Sequence, residues 1–192
     1  EDVGGLNNRV KRGDLEAFHG GLQIKFELQS DKEEGTSRDG MEIAVCVIDL
    51  DTLRMEFSGA GSPLRLLKNG SDELTIYKSP RLMVGGIDGD EQEVNAKLKK
   101  EVIQLEPGDK IYLTSDGYQD QFGGENDKKF MSKNFNKLLE DSANGSMLEQ
   151  KRTIERTFAK WTRNTTQTDD IVVLGFEIKK GNQKTLFALC NI

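Results

Sequence analysis

The sequence predicts an α+β domain built on antiparallel sheet. Three observations carry this. Hydrophobic runs of strand type dominate the first part of the chain. The links between them are of hairpin length, too short for the crossovers that parallel strands need. Helical spacing of apolar residues appears only later.

Taken in order, Leu22, Ile24, Phe26 and Leu28 alternate with Gln23, Lys25 and Glu27, a strand pattern in residue types that also favour helix. Ser30 to Gly40 is a polar loop. Glu42 to Ile48 is apolar on both faces, as in a central strand. Asp49 to Thr52 forms a turn. Leu53, Met55 and Phe57 then alternate with Arg54, Glu56 and Ser58, which predicts a half-buried antiparallel partner. Gly59 to Pro63 breaks that run. Short strands follow at Leu64–Leu67 and Leu74–Tyr77, joined by a turn at Lys68–Ser71. Another strand is expected near Lys100–Leu105. Glu106-Pro107-Gly108-Asp109 supplies a tight reversal into the strand Lys110–Thr114.

A helix is expected near Asn134–Asp141. A second runs from Met147 to Trp161, capped by Ser146 with Glu149 at the capping-box position. Met147, Ile154, Phe158 and Trp161 fall on one face of it and read as core. Ile171 to Ile178 is a buried strand that begins after Asp169 and Asp170. Lys179 to Ile192 is expected as a C-terminal tail, with Leu186–Leu189 able to dock on the body.

Composition bounds the function. A chain of 192 residues favours one domain with a real core. Hydrophobic residues at 35% and charged residues at 31% place it among globular proteins. A net charge of -6 argues against a nucleic-acid surface, which needs a basic face. Neither a transmembrane run nor a signal peptide is evident, so a cytoplasmic location is the default expectation. Cys46 reads as a buried free thiol. Two cysteines and the single His19 make no zinc constellation, so any metal would be held by oxygen ligands. His19 itself reads as a loop residue.

Carboxylates mark two strand ends. Asp116 follows Lys110–Thr114, with Asp120 four residues on. Asp169 and Asp170 precede Ile171–Ile178. If these two strands are antiparallel neighbours, Asp116 and Asp169 meet at one edge of the sheet. Converging carboxylates repel one another, and a divalent cation such as Mg²⁺, Mn²⁺ or Ca²⁺ neutralises them. Gly117 lets the backbone approach whatever Asp116 binds. The pair Gly123-Gly124 suits a flap over a site. Asp-Gly after a strand is also the mark of a plain turn, and Asp before a strand is a common solvated end. The residues alone leave both readings open.

Ile111 to Gly124, containing Ser115-Asp116-Gly117, resembles the Ser-Asp-Gly motif of PPM-type metal-dependent protein phosphatases, closest to the bacterial SpoIIE-like branch. Gln167 to Val173 resembles that family's terminal metal motif. Asp39–Asp49 and Phe57–Leu64 are similar to the hairpin of bacterial members, and Ser79–Gly86 stands where the family has its Pro-Leu-Gly segment. The resemblance is strongest over residues 39–178, within one domain expected to span 1–192. It implies a sandwich of two antiparallel sheets flanked by helices, with metals at one edge. It implies that Asp116 and Asp169 ligate one centre and that Asp170 orients neighbours or faces solvent. Asp120 matches an acidic position that some members use for an extra, weaker metal, and a loop role is its alternative. The cofactor implied is Mn²⁺ or Mg²⁺, two ions in the intact site.

The chain also departs from the pattern. The family's first metal motif, an Asp followed by Gly-His-Gly, is not found. His19-Gly20-Gly21 is only superficially similar, and residues 1–38 match poorly. An N-terminally truncated domain is therefore expected, without the bridging carboxylate. Ser62 stands where many relatives have His. The resemblance implies hydrolysis of phosphoserine or phosphothreonine on a regulatory partner, of the anti-anti-sigma type, with an upstream sensor. Partner binding is expected near Gly123-Gly124. Two rivals stand beside this. One is a domain of the same fold that has lost catalysis and acts as a binding module. The other is a plain α+β domain whose acidic strand ends bind Ca²⁺ or nothing.

Overall fold

The computed structural model describes residues 17–18, 21–22, 42–81, 98–163, 165–179 and 184–190. Near the N-terminus, β1 (Ala17–Phe18) and β2 (Gly21–Leu22) pair antiparallel. The strand expected to run on to Leu28, the loop to Gly40 and the segment Leu82–Gly86 lie outside the described residues.

A three-stranded sheet has the order β3 (Ile43–Ile48), β4 (Arg54–Ala60), β7 (Glu101–Gln104). The turn into β4 is set by Asp49, whose Oδ1 accepts from the backbone N–H of Asp51 and of Thr52. β4 runs through Gly59, where the sequence predicts a break, and pairs to Ala60. The reason is packing. A Cβ on Gly59 would lie 2.5 Å from the carbonyl oxygen of Ser62. The glycine serves that close approach, and the true break comes at Gly61, with φ 74°.

There the chain passes to a five-stranded sheet. β5 (Leu64–Leu67), β6 (Leu74–Tyr77), β8 (Lys110–Thr114), β11 (Val172–Ile178) and β12 (Lys184–Cys190) take the order β12-β11-β8-β5-β6. Every neighbouring pair is antiparallel. β12 occupies the stretch expected as a tail and pairs with β11 from Lys184 to Cys190. The free edge of β11 offers this stretch a ladder.

Alternation along the strands makes a two-faced sheet. Leu64, Leu66, Ile111 and Ile178 join Met55, Phe57 and Ile103 of the smaller sheet in one core. This is the sandwich interior. Leu67, Tyr112 and Val173 face the opposite way, against helices. Those helices are α1 (Gly117–Asp120), α2 (Ser132–Asp141) and α3 (Met147–Trp161). A small hairpin of β9 (Phe122–Gly123) and β10 (Lys128–Lys129) lies between α1 and α2. α2 begins two residues before the expected start. α3 begins at its expected cap, where Ser146 and Glu149 form the reciprocal capping box.

Candidate functional site at the end of β8

β8 and β11 are neighbours in antiparallel register, with Thr114 opposite Val173. The end of one strand and the start of the other therefore share a sheet edge. Ser115 stitches them together. Its backbone N–H donates to the carbonyl of Val172, its hydroxyl donates to the carbonyl of Asp170, and Oγ accepts from the N–H of Val172.

Asp116 then caps α1. Its carbonyl accepts from the N–H groups of Gln119 and Asp120, while its carboxylate makes no capping bond. That carboxylate lines a cleft of about 800 Å³, as do Glu42 and Asp120. The carboxyl of Glu42 is held above the usual range, first by partial desolvation and then by the negative charge of Asp116. Such a pair is relieved by a cation. Asp120 is already engaged, with Lys129 Nζ 2.9 Å from its Oδ2.

Asp169 lies at the same edge but does not line the cleft. Its side chain is exposed, and its Oδ1 accepts from the N–H of Asp170 at 2.7 Å. Among the described residues no three His, Cys, Asp or Glu side chains gather as a metal-binding group. Glu42 and Asp116 nevertheless fit a hard divalent cation, since both offer carboxylate oxygen to the same cleft and the charge of one is felt by the other.

The cleft lining also includes the cations Arg65, Lys78 and Arg81. Arg65 is 2% exposed. Its Nε donates to Asn136 Oδ1 at 2.7 Å, Nη1 to Thr114 Oγ1 at 2.9 Å and Nη2 to Gln119 Oε1 at 3.4 Å. Burial pulls its pKa down to about 10, which leaves it charged at neutral pH. Ser62 donates to the carbonyl of Thr114 at 3.3 Å.

The glycines beside the site make close backbone approaches. The close approach at Gly117 is to the carbonyl of Asp170, where a Cβ would fall at 2.4 Å. Gly123 and Gly124 are packed on Trp161 and are not part of the cleft lining. The Gly124 N–H donates to the carbonyl of Trp161, and a Cβ on Gly123 would meet that oxygen at 2.1 Å. The pair is glycine because α3 presses on it.

Sequence reasoning missed Glu42, Arg65 and Gln121. Glu42 hid at the head of an apolar run, just before β3. Arg65 hid between leucines, and its strand position does announce it. It alternates with Leu64 and Leu66, so it had to face away from the sandwich interior. Gln121 is fully buried, and its side chain ties the loop before β11 to α1. Nε2 donates to the carbonyls of Phe122 and Thr166, and Oε1 accepts from the N–H of Thr168.

Comparison with known proteins gives one family. The model of Stage II sporulation protein E (SpoIIE) matches residues 20–179. Among solved structures, the chain is similar to the SiaA-PP2C domain of Pseudomonas aeruginosa, with 30% identity and a TM-score of 0.63. That match covers 73% of this chain and 52% of the other. It is also similar in fold to the manganese-presoaked phosphatase domain of SpoIIE from Bacillus subtilis, at 18% identity and a TM-score of 0.52. That match covers 75% of this chain and 59% of the other. The chain thus spans little more than half the length of each. No curated protein matches it.

Proposed function

The chain belongs to the SpoIIE family of PPM-type phosphatase domains, and from that premise we propose that it is a metal-dependent protein phosphatase domain. Its substrate class would be phosphoserine or phosphothreonine on a regulatory protein partner. The observation that supports this most is the β8–β11 register, Thr114 opposite Val173, which sets Asp116 and Asp169–Asp170 at one edge of the sheet.

In this reading Asp116 and Glu42 would hold the ion, Mn²⁺ or Mg²⁺, in the cleft, and Asp169, at the start of β11, would have to turn in to join them. An ion held there would supply charge neutralisation for the phosphoryl oxygens and a lowered pKa for a bound water. The chain's own contribution is positioning and charge. Ser115 fixes Asp116 by bonding to both Asp170 and Val172. Asp120, paired with Lys129, would have to leave that partner to hold a further ion.

The test is manganese-dependent release of phosphate from p-nitrophenyl phosphate and from a phosphoserine protein. Turnover that disappears in Asp116→Asn, with the fold retained, supports the reading. A folded wild-type chain without turnover at saturating manganese overturns it and leaves a binding module of the same fold.

A further inference from the structure

We propose that Arg65, Lys78 and Arg81 form an anion-recognition wall in this cleft, which seats the phosphoryl group of a phosphorylated side chain. The proposal rests on the phosphatase reading for its substrate class but on different residues.

The cleft carries charge of both signs. Its lining holds the carboxylates Glu42, Asp116 and Asp120 together with these three cations. Arg65 sets the character of the basic wall. Buried charges are normally paired with an opposite charge. Among the described residues the guanidinium of Arg65 makes no ion pair, and its hydrogen bonds all go to neutral oxygens, of Asn136, Thr114 and Gln119. A guanidinium has five N–H groups, and these bonds leave one on each terminal nitrogen for a ligand. The group is also held in place. It lies over the Phe135 ring at 5.5 Å from the centroid, and its three bonds reach three different elements. A fixed fork of this kind suits the oxygens of a phosphate.

Lys78 and Arg81 add mobile charge to a fixed one. They flank Ser79 and Pro80, just after β6. The carbonyl of Pro80 accepts from the N–H of Gly61 at 2.9 Å, which ties this segment to the bend between the two sheets. Both side chains are exposed. A dianion in the cleft meets both a carboxylate-held cation and basic side chains. A neutral or cationic ligand gains nothing from the basic side chains.

Inorganic phosphate is the first probe, titrated calorimetrically into the metal-free chain against chloride at equal ionic strength. A phosphoserine peptide and its unphosphorylated twin are the second. We expect phosphate to bind, and Lys78→Gln/Arg81→Gln to bind it at least tenfold more weakly. Arg65→Lys keeps the charge, loses the fork, and should weaken binding too. Lys151→Gln, on α3, should leave binding unchanged. The phosphorylated peptide should bind and its twin should not. No phosphate binding by the wild type, or equal binding by the folded double variant, overturns the proposal.

Turnover separates this from the phosphatase reading. Manganese-dependent turnover with an unchanged KM in Lys78→Gln/Arg81→Gln sinks the wall and leaves the phosphatase. Phosphate binding that follows the wall, without turnover, upholds the wall and sinks the phosphatase.

Discussion

Gly117 stands so close to Asp170 that a Cβ added to it would fall 2.4 Å from the Asp170 carbonyl oxygen. Two segments about fifty residues apart in sequence are thus held backbone to backbone at the end of β8. Asp116 precedes Gly117 in one segment, and Asp170 supplies the carbonyl from the other. Gly117→Ala must push the segments apart or distort α1. Overpacking of this kind costs about 1–3 kcal/mol. Urea denaturation should show that loss. The variant should also need more manganese for half-maximal turnover, because Asp116 is carried on the displaced segment.

The same edge is braced from behind. The Tyr112 hydroxyl donates to Gln150 Oε1 at 2.7 Å, and both residues are fully buried. Gln150 Nε2 donates in turn to the carbonyl of Gly145 at 2.9 Å. β8, α3 and the loop before α3 are joined through two side chains. Burial also raises the pKa of the Tyr112 hydroxyl, so it remains a donor through the working range of pH. Tyr112→Phe leaves the Gln150 oxygen without its partner. An unsatisfied buried acceptor costs about 1–3 kcal/mol. The expected result is a lower denaturation midpoint with phosphate affinity unchanged, because Tyr112 faces the helices and not the cleft.

The strands were legible because their signal is local. Met55 and Phe57 alternate with charged neighbours, so a single face of β4 could be buried. Ser146 and Glu149 marked the start of α3 by capping chemistry alone. The sandwich and the Ser-Asp-Gly edge came from the family resemblance. What stayed hidden depends on tertiary neighbours. Gly59 and Gly123 look like chain breakers, yet each is small because a backbone carbonyl oxygen lies 2.5 Å and 2.1 Å, respectively, from where Cβ would stand, well inside contact distance. The pairing of β12 depends on the open edge of β11, which no pattern within residues 184–190 could reveal. Glu42 enters the cleft through the bend at Gly61, which a linear reading cannot place.

Gln121 tests how the Asp169 segment is positioned. Its side chain, fully buried, holds Thr166 by the carbonyl and Thr168 by the N–H. Gln121→Leu keeps the approximate volume and removes these bonds. Each orphaned backbone group costs on the order of 1–3 kcal/mol where it stays buried. The diagnostic readout is a split between two constants. The manganese requirement should rise several-fold, since Asp169 follows this loop, while KM for p-nitrophenyl phosphate should hold. Equal changes in both would show general loosening instead of a role in placing Asp169.

Acid should act on α3 through its cap. The Glu149 carboxylate is held below its usual pKa, first by the Ser146 hydroxyl and then by the Ser146 N–H. A carboxyl with a depressed folded-state pKa binds its proton more weakly folded than unfolded. It stabilises the fold above its unfolded value, about pH 4.3, and that contribution fades as pH falls through the lower, folded value. Glu149→Ala should therefore melt below the wild type at pH 7. The gap should close as both are taken toward pH 3, because a protonated Glu149 has lost the charge that strengthens its two bonds to Ser146. A gap that stays constant across this range would mean that Glu149 acts by packing or helix propensity, with no part for its charge. Circular dichroism at 222 nm, followed against temperature at each pH, reads the difference directly.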